Sequence, residues 1–251
     1  MMRSRSFSLP ACALALAAFA LAPPAARAQM AMPSPSAAPA PTVAPAPTPA
    51  PSPNAAEAAF LKRIMTNLPK RYPNPQAATA AGWIRYSRED RTGAISYVNT
   101  KYWDTTDPDL PAQLWYDVNG RLLGADFSIP QAESSTGAPN RFGIDPKRWF
   151  KLAAHVHYVQ RNPNGTVSYG KATSAQRYAD ANNGDYSHPT AAGLVAAKVV
   201  TDAASVPFVF LYPAIWDVTV WVVPNPLGQF ADKNPAVTPS PRAGSGEDEP
   251  M

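Results

Sequence analysis

Residues 114–123 read LWYDVNGRLL, and this stretch decides the fold. Two runs suited to strands, Leu114–Val118 and Arg121–Leu123, flank Asn119-Gly120. That dipeptide readily takes the positive φ angles of a tight type I′ turn, so an antiparallel hairpin is expected here. Downstream, Asn162-Pro163-Asn164-Gly165 marks a second hairpin, joining Phe150–Gln160 to Thr166–Tyr169. Phe208–Tyr212 and Ile215–Val223, rich in Val, Ile, Phe and Trp, read as two more strands. Pro224 and a second N-P-x-G run, Asn225–Gly228, follow the last of these, so two strands end in similar turns.

Upstream the pattern is helical. Asn54 with Glu57 three residues on forms a capping box, and Phe60, Leu61, Ile64, Met65 and Leu68 then make one apolar stripe. Pro69 is expected to end that helix. A short second helix starts at Asn74-Pro75 and stops at Gly82. Two others are expected over 174–182 and 190–200, the latter opened by Ser187 or His188 before Pro189. Helices first, hairpins in the middle and no repeated βαβ units predict an α+β fold. The expectation is one domain over 54–237, an antiparallel sheet with helices packed on one face.

Outside that domain the composition changes. Arg3 and Arg5, an apolar run over Ala11–Ala22, and Ala26-Arg27-Ala28 read as a signal peptide, 1–28, cleaved after Ala28. The run is shorter than the ~20 residues that span a bilayer, so no retained transmembrane segment is expected, and the protein is placed in the periplasm or outside the cell. Residues 29–53 hold nine prolines among Ala, Ser and Thr and read as a disordered linker. The acidic end, 238–251, reads as a disordered tail. Cys12 is the only cysteine, so neither disulfides nor a thiol nucleophile is expected after cleavage.

The whole chain carries a formal charge of +4. Removing Arg3, Arg5 and Arg27 with the leader leaves 19 basic against 18 acidic residues. A near-neutral product gives no electrostatic reason to bind nucleic acid.

AGWIRY (81–86), SYVN (96–99), LWYDVNGRLLGADFSIP (114–130), HVHYVQRNPNG (155–165) and GQFADKNPAV (228–237) together resemble a group of uncharacterised exported bacterial proteins. That group carries A-G-aromatic, Y-V-N, L-x-G and N-P-x-G-x-F-A-x-x-N-P patterns. It also places histidines just before Y-V-N and on the strand before the N-P-x-G turn. Here those positions hold Ser96 and Val218-Thr219, while His155 stands on the earlier NPNG strand. The resemblance implies a single exported domain and brings no activity with it.

Two of the three histidines are His155 and His157. Alternate residues of a strand share a face, so both rings can reach one cation, with His188 or Asp217 as a third ligand. Two imidazoles and a carboxylate suit a divalent transition metal such as zinc. The competing reading places Phe150, Leu152, Val156 and Tyr158 toward the core. Lys151, His155, His157 and Arg161 then lie on a wet face, where the cations would repel a metal. A third reading gives one histidine an acid–base role.

No G-x-S-x-G elbow, H-E-x-x-H, phosphate loop or EF-hand pattern is present. Asp104, Asp107 and Asp109 read as surface loop residues, with calcium ligation as the sharper alternative. Core packing accounts for most of the six tryptophans, and a sheet face carrying several would bind sugar rings or apolar ligands. Two functions follow as expectations. One is an exported, non-catalytic domain, without cofactor, that binds a small molecule or protein partner through its sheet face. The alternative is a divalent-metal protein or metal-dependent enzyme built on His155 and His157.

Overall fold

The computed structural model describes residues 48–131 and 137–250. The signal segment 1–28, with Cys12 and the cleavage point, and linker residues 29–47 lie outside the described residues. The elements are α1 (Ala55–Arg71), α2 (Pro75–Ala80), β1 (Ile84–Arg85), β2 (Ile95–Val98), β3 (Gln113–Tyr116), β4 (Leu122–Pro130), β5 (Phe150–Leu152), β6 (His155–Arg161), β7 (Thr166–Ser174), α3 (Ala175–Asp180), α4 (Ala191–Ala196), β8 (Phe208–Tyr212), β9 (Ile215–Trp221) and β10 (Glu249–Pro250). The fold is α+β, a single domain of antiparallel sheet with helices. The strands divide into two sheets, ordered β1-β2-β3-β4-β9-β5 and β10-β7-β6-β8.

Each sheet carries helices on one face. On the six-stranded sheet, Leu114, Ala125, Phe127, Val218 and Val220 pack with Phe60, Leu61, Ile64 and Leu68 of α1. On the four-stranded sheet, Val156 and Tyr158 pack with Tyr178 of α3 and Leu194 of α4. A third cluster, Tyr86, Val98, Phe210, Tyr212 and Ile215, draws on both sheets.

The capping box at α1 forms as expected: Asn54 Oδ1 accepts from the Glu57 N–H and Glu57 Oε2 from the Asn54 N–H. Pro69 lies inside the helix rather than ending it, and α1 runs on to Arg71. The missing N–H costs a single bond in the last turn, and the apolar stripe still seats Leu68. The cap of α4 is Thr190, not Ser187 or His188.

The Asn-Gly hairpin forms, with a different turn. Only Gly120 takes positive φ, and its N–H donates to the Asp117 carbonyl while Asp117 and Arg121 pair. This is a type I turn closed by a left-handed glycine, the usual three-residue alternative to type I′. The NPNG turn repeats that arrangement with Gly165.

The expected strand Phe150–Gln160 is really two. Phe150 and Leu152 pair with Asp217 and Ile215 in the first sheet, whereas His155 and His157 pair with Tyr212 and Phe210 in the second. The chain changes sheet at Ala153-Ala154, and β8–β9 makes the reverse change at Pro213-Ala214. Strands that switch sheets in this way make the corners of packed sheets.

The tail expected to be disordered is instead part of the domain. Pro250 and Glu249 pair with Thr166 and Val167. Asp248 accepts from Ser168 Oγ at 2.6 Å, and Glu249 meets Arg85 at 2.5 Å. At the other end Ala50 donates to the Leu227 carbonyl at 2.7 Å, so the last residues of the expected linker also lie on the domain. Both segments lack apolar bulk, and it is polar partners distant in sequence that hold them. Among the described residues no helix is long and apolar enough to cross a membrane.

Candidate functional site

The face of the six-stranded sheet turned away from α1 is polar. Strand alternation puts Gln113 and Trp115 of β3, Asp126 and Ser128 of β4, and Asp217, Thr219 and Trp221 of β9 on this one side. Asp126 stands opposite Thr219, and Ser128 opposite Asp217, so the two aspartates are diagonal neighbours on adjacent strands. They line an open cleft of about 270 Å³, walled by Tyr86, Trp115, Phe150, Tyr212 and Trp221.

Both carboxyl groups are deeply buried: Asp126 is 6% exposed and Asp217 2%. Asp126 is tethered at both oxygens, by Trp115 Nε1 at 2.9 Å and Thr219 Oγ1 at 3.0 Å. Asp217 Oδ1 accepts from Ser128 Oγ at 2.7 Å. No lysine, arginine or histidine forms an ion pair with either among the described residues. Burial raises the Asp126 carboxyl far above the usual range, and the neighbouring Asp217 charge adds to it. Burial likewise pushes Asp217 up to about 7, against the hydrogen bond from Ser128.

Beside the acids runs a chain of polar aromatics. Tyr86 OH donates to Gln113 Oε1, and Gln113 Nε2 donates to Tyr212 OH at 3.0 Å. Burial raises both phenols. Tyr86 reaches this position through a bulge in the second sheet. Tyr169 and Gly170 bulge out of register with β6, Gly170 takes positive φ, and its freed N–H donates to the Tyr86 carbonyl at 2.7 Å.

The histidines abut this layer and are not on a wet face. His155 stacks on Tyr212 with centroids 4.6 Å apart, and His157 stacks on Phe210 and meets the edge of Tyr86. Phe150, expected in the core, is 43% exposed. The expected parity holds within β6, where Val156 and Tyr158 are buried, but does not carry through to β5, which belongs to the other sheet. Burial, then the nearby His155, lowers the His157 pKa to about 4. Its Nε2 lies 3.0 Å from His155 Nε2, and its Nδ1 meets the Lys171 carbonyl at 3.1 Å.

Of the four residues considered as metal ligands, the structure brings His155 and His157 together. His188 is exposed and its Nδ1 meets Ser187 Oγ, while Asp217 joins Asp126 in the cleft. Among the described residues no three His, Cys, Asp or Glu side chains converge as a metal site. The aspartate loop is anchored rather than free: Asp109 takes Arg63 at 3.0 Å and Asn67 at 3.1 Å, which ties the loop to α1.

Sequence reading missed Asp126, Gln113 and Tyr86. Its available signal was three pairs, Gln113/Trp115, Asp126/Ser128 and Asp217/Thr219. Each sets polar or amphipathic residues at strand spacing among neighbours that are buried. No family model, curated protein or solved structure matches the chain.

Proposed function

We propose that this is an exported binding domain that takes a small ligand into the cleft on the polar face of its six-stranded sheet. One observation carries the reading: Asp126 and Asp217 are buried without a countercharge among the described residues, yet they line an open cleft. Buried polar groups normally satisfy one another, and a fixed set left facing a cavity is the usual signature of a ligand site. Trp115 and Trp221, packed edge to face on each other, form part of its wall. Export rests on the leader-like N-terminus and agrees with the resemblance to exported bacterial proteins. The test is a small-molecule fragment screen by NMR on the purified protein. Ligand-induced shifts should cluster on the indole N–H signals of Trp115 and Trp221 and vanish in Asp217→Asn/Thr219→Val. Shifts clustering elsewhere, or none at all, would remove this reading.

The 3.0 Å approach of His155 Nε2 to His157 Nε2 favours a second reading, a divalent metal held by both rings and completed by an external ligand. Metal analysis beside His155→Ala/His157→Ala decides it. A stoichiometric ion lost in the variant supports it; no ion in either protein, with melting unchanged by chelator, excludes it.

A further inference from the structure

Resting on the cleft reading above, we infer that the ligand carries a protonated amine, whose ammonium sits against Asp217 with its apolar part against the aromatic wall of the cleft. Charge is the first ground. Asp90, Asp126, Asp217 and Asp232 all line the cleft, and among the described residues no lysine or arginine does. Those four acids belong to a domain of nearly balanced charge, so the cleft disfavours anionic ligands and favours a cation, whose charge would hold Asp217 ionised.

Valence is the second ground. Asp126 has both oxygens engaged by side chains, whereas Asp217, although 98% buried, meets only neutral donors, the Ser128 hydroxyl and the Val218 N–H, and no cation among the described residues. A buried carboxylate without a countercharge is costly, and an ammonium supplies charge and N–H donors together. Ring faces beside an amine add cation–π attraction.

A metal ion fits less well. Calcium takes six to eight oxygens, and among the described residues no third ligating side chain joins the pair. At about 270 Å³ the cleft is at the small end of ligand pockets, which suits a monoamine or short diamine.

The experiment uses a triad matched in shape and differing in charge: benzylamine, benzyl alcohol and benzoate. Each is titrated into the purified protein with Trp115 and Trp221 as reporters. Benzylamine should bind at least tenfold more tightly than benzyl alcohol, and benzoate should not saturate. Asp217→Asn should erase the tenfold preference, whereas Asp104→Asn, a surface acid paired with Arg141, should preserve it. Equal binding of amine and alcohol in the unaltered protein would overturn the amine inference and leave the cleft reading standing. So would a fragment screen whose cleft ligands are all neutral or anionic. If no fragment of any charge shifts the cleft reporters, both fall.

Discussion

The indole of Trp115 lies across the α-carbon of Gly124, its register partner on the neighbouring strand. A methyl group at Gly124 would stand 2.6 Å from Trp115 Cζ3 and 2.7 Å from the Val220 carbonyl oxygen. The glycine therefore sets the position of the ring, and the ring nitrogen in turn tethers Asp126. Gly124→Ala should cost about 1–3 kcal/mol through overpacking, read from the urea midpoint. It should also weaken benzylamine binding, because the displaced indole releases a cleft carboxylate. A variant of unchanged stability with the Trp115 indole N–H resonance in place would contradict this packing.

The cleft acids and His157 should pull stability in opposite directions with pH. His157 titrates near 4 when folded against about 6.5 unfolded, so its contribution is complete above 6.5 and lost as pH falls toward 4. Asp217 is raised toward 7, and Asp126 is raised as well, so their contribution is present at low pH and lost as pH rises from about 4 to 7. His157→Phe should then make stability fall more steeply between pH 4 and 7, by on the order of 3 kcal/mol across that window. Asp126→Asn/Asp217→Asn should tilt the curve the other way. Chemical denaturation at half-unit pH steps measures both, and three superimposable curves would refute the assignment.

How much of this was legible beforehand differs between elements. Asn54 and Glu57, Asn74-Pro75, and the Asn-Gly and NPNG turns act through contacts within a few residues, and each formed where the sequence placed it. The sheet partition was not legible, because what divides Leu152 from His155 is which distant strand each pairs with, β9 or β8. Nothing local in KLAAHVH encodes that choice. The same break undid the expected wet face of His155 and His157, since the aromatic layer covering them comes from Tyr86, Phe210 and Tyr212. Asp217 was expected as a third ligand beside the histidines, and the structure sets it beside Asp126 instead. Its actual partner, Asp126, lies in a sequence, GADFS, that looks like an ordinary strand until its register with β9 is known.

The C-terminal segment should stabilise the domain despite its composition. Its Ser240 is held by Glu89, Asp248 by Ser168 and Asn162, and Glu249 by Arg85, while β10 covers the edge of β7. Ending the chain at Thr238 removes these bonds at roughly 0.5–1.5 kcal/mol each and bares a strand edge prone to pairing between molecules. Chain entropy regained on truncation offsets part of this, so the expected result is a net loss of about 1–3 kcal/mol in urea and a rise in self-association on sizing columns. A truncated protein that melts as the full chain does would show the segment to be dispensable.

Glu57 joins three parts of the molecule, which makes its neighbourhood the most sensitive outside the cleft. One oxygen caps α1 through the Asn54 N–H; the other takes the Asp145 N–H at 3.0 Å and Arg148 Nε at 2.5 Å. Arg148 also donates to the Pro51 carbonyl at 3.0 Å, so the same ion pair fastens the segment leading into α1. Burial alone would raise the Glu57 carboxyl, but Arg148 and the two backbone donors hold it below its ordinary value. Removing the cation leaves a carboxylate that is 1% exposed without its countercharge. Arg148→Met should therefore cost about 3–5 kcal/mol at neutral pH. Adding Glu57→Gln to it removes the stranded charge while keeping an acceptor for the cap, so the double variant should be more stable than Arg148→Met alone by over ~1 kcal/mol. Equal or lower stability of the double variant would mean that Glu57 acts here through its hydrogen bonds and not through its charge.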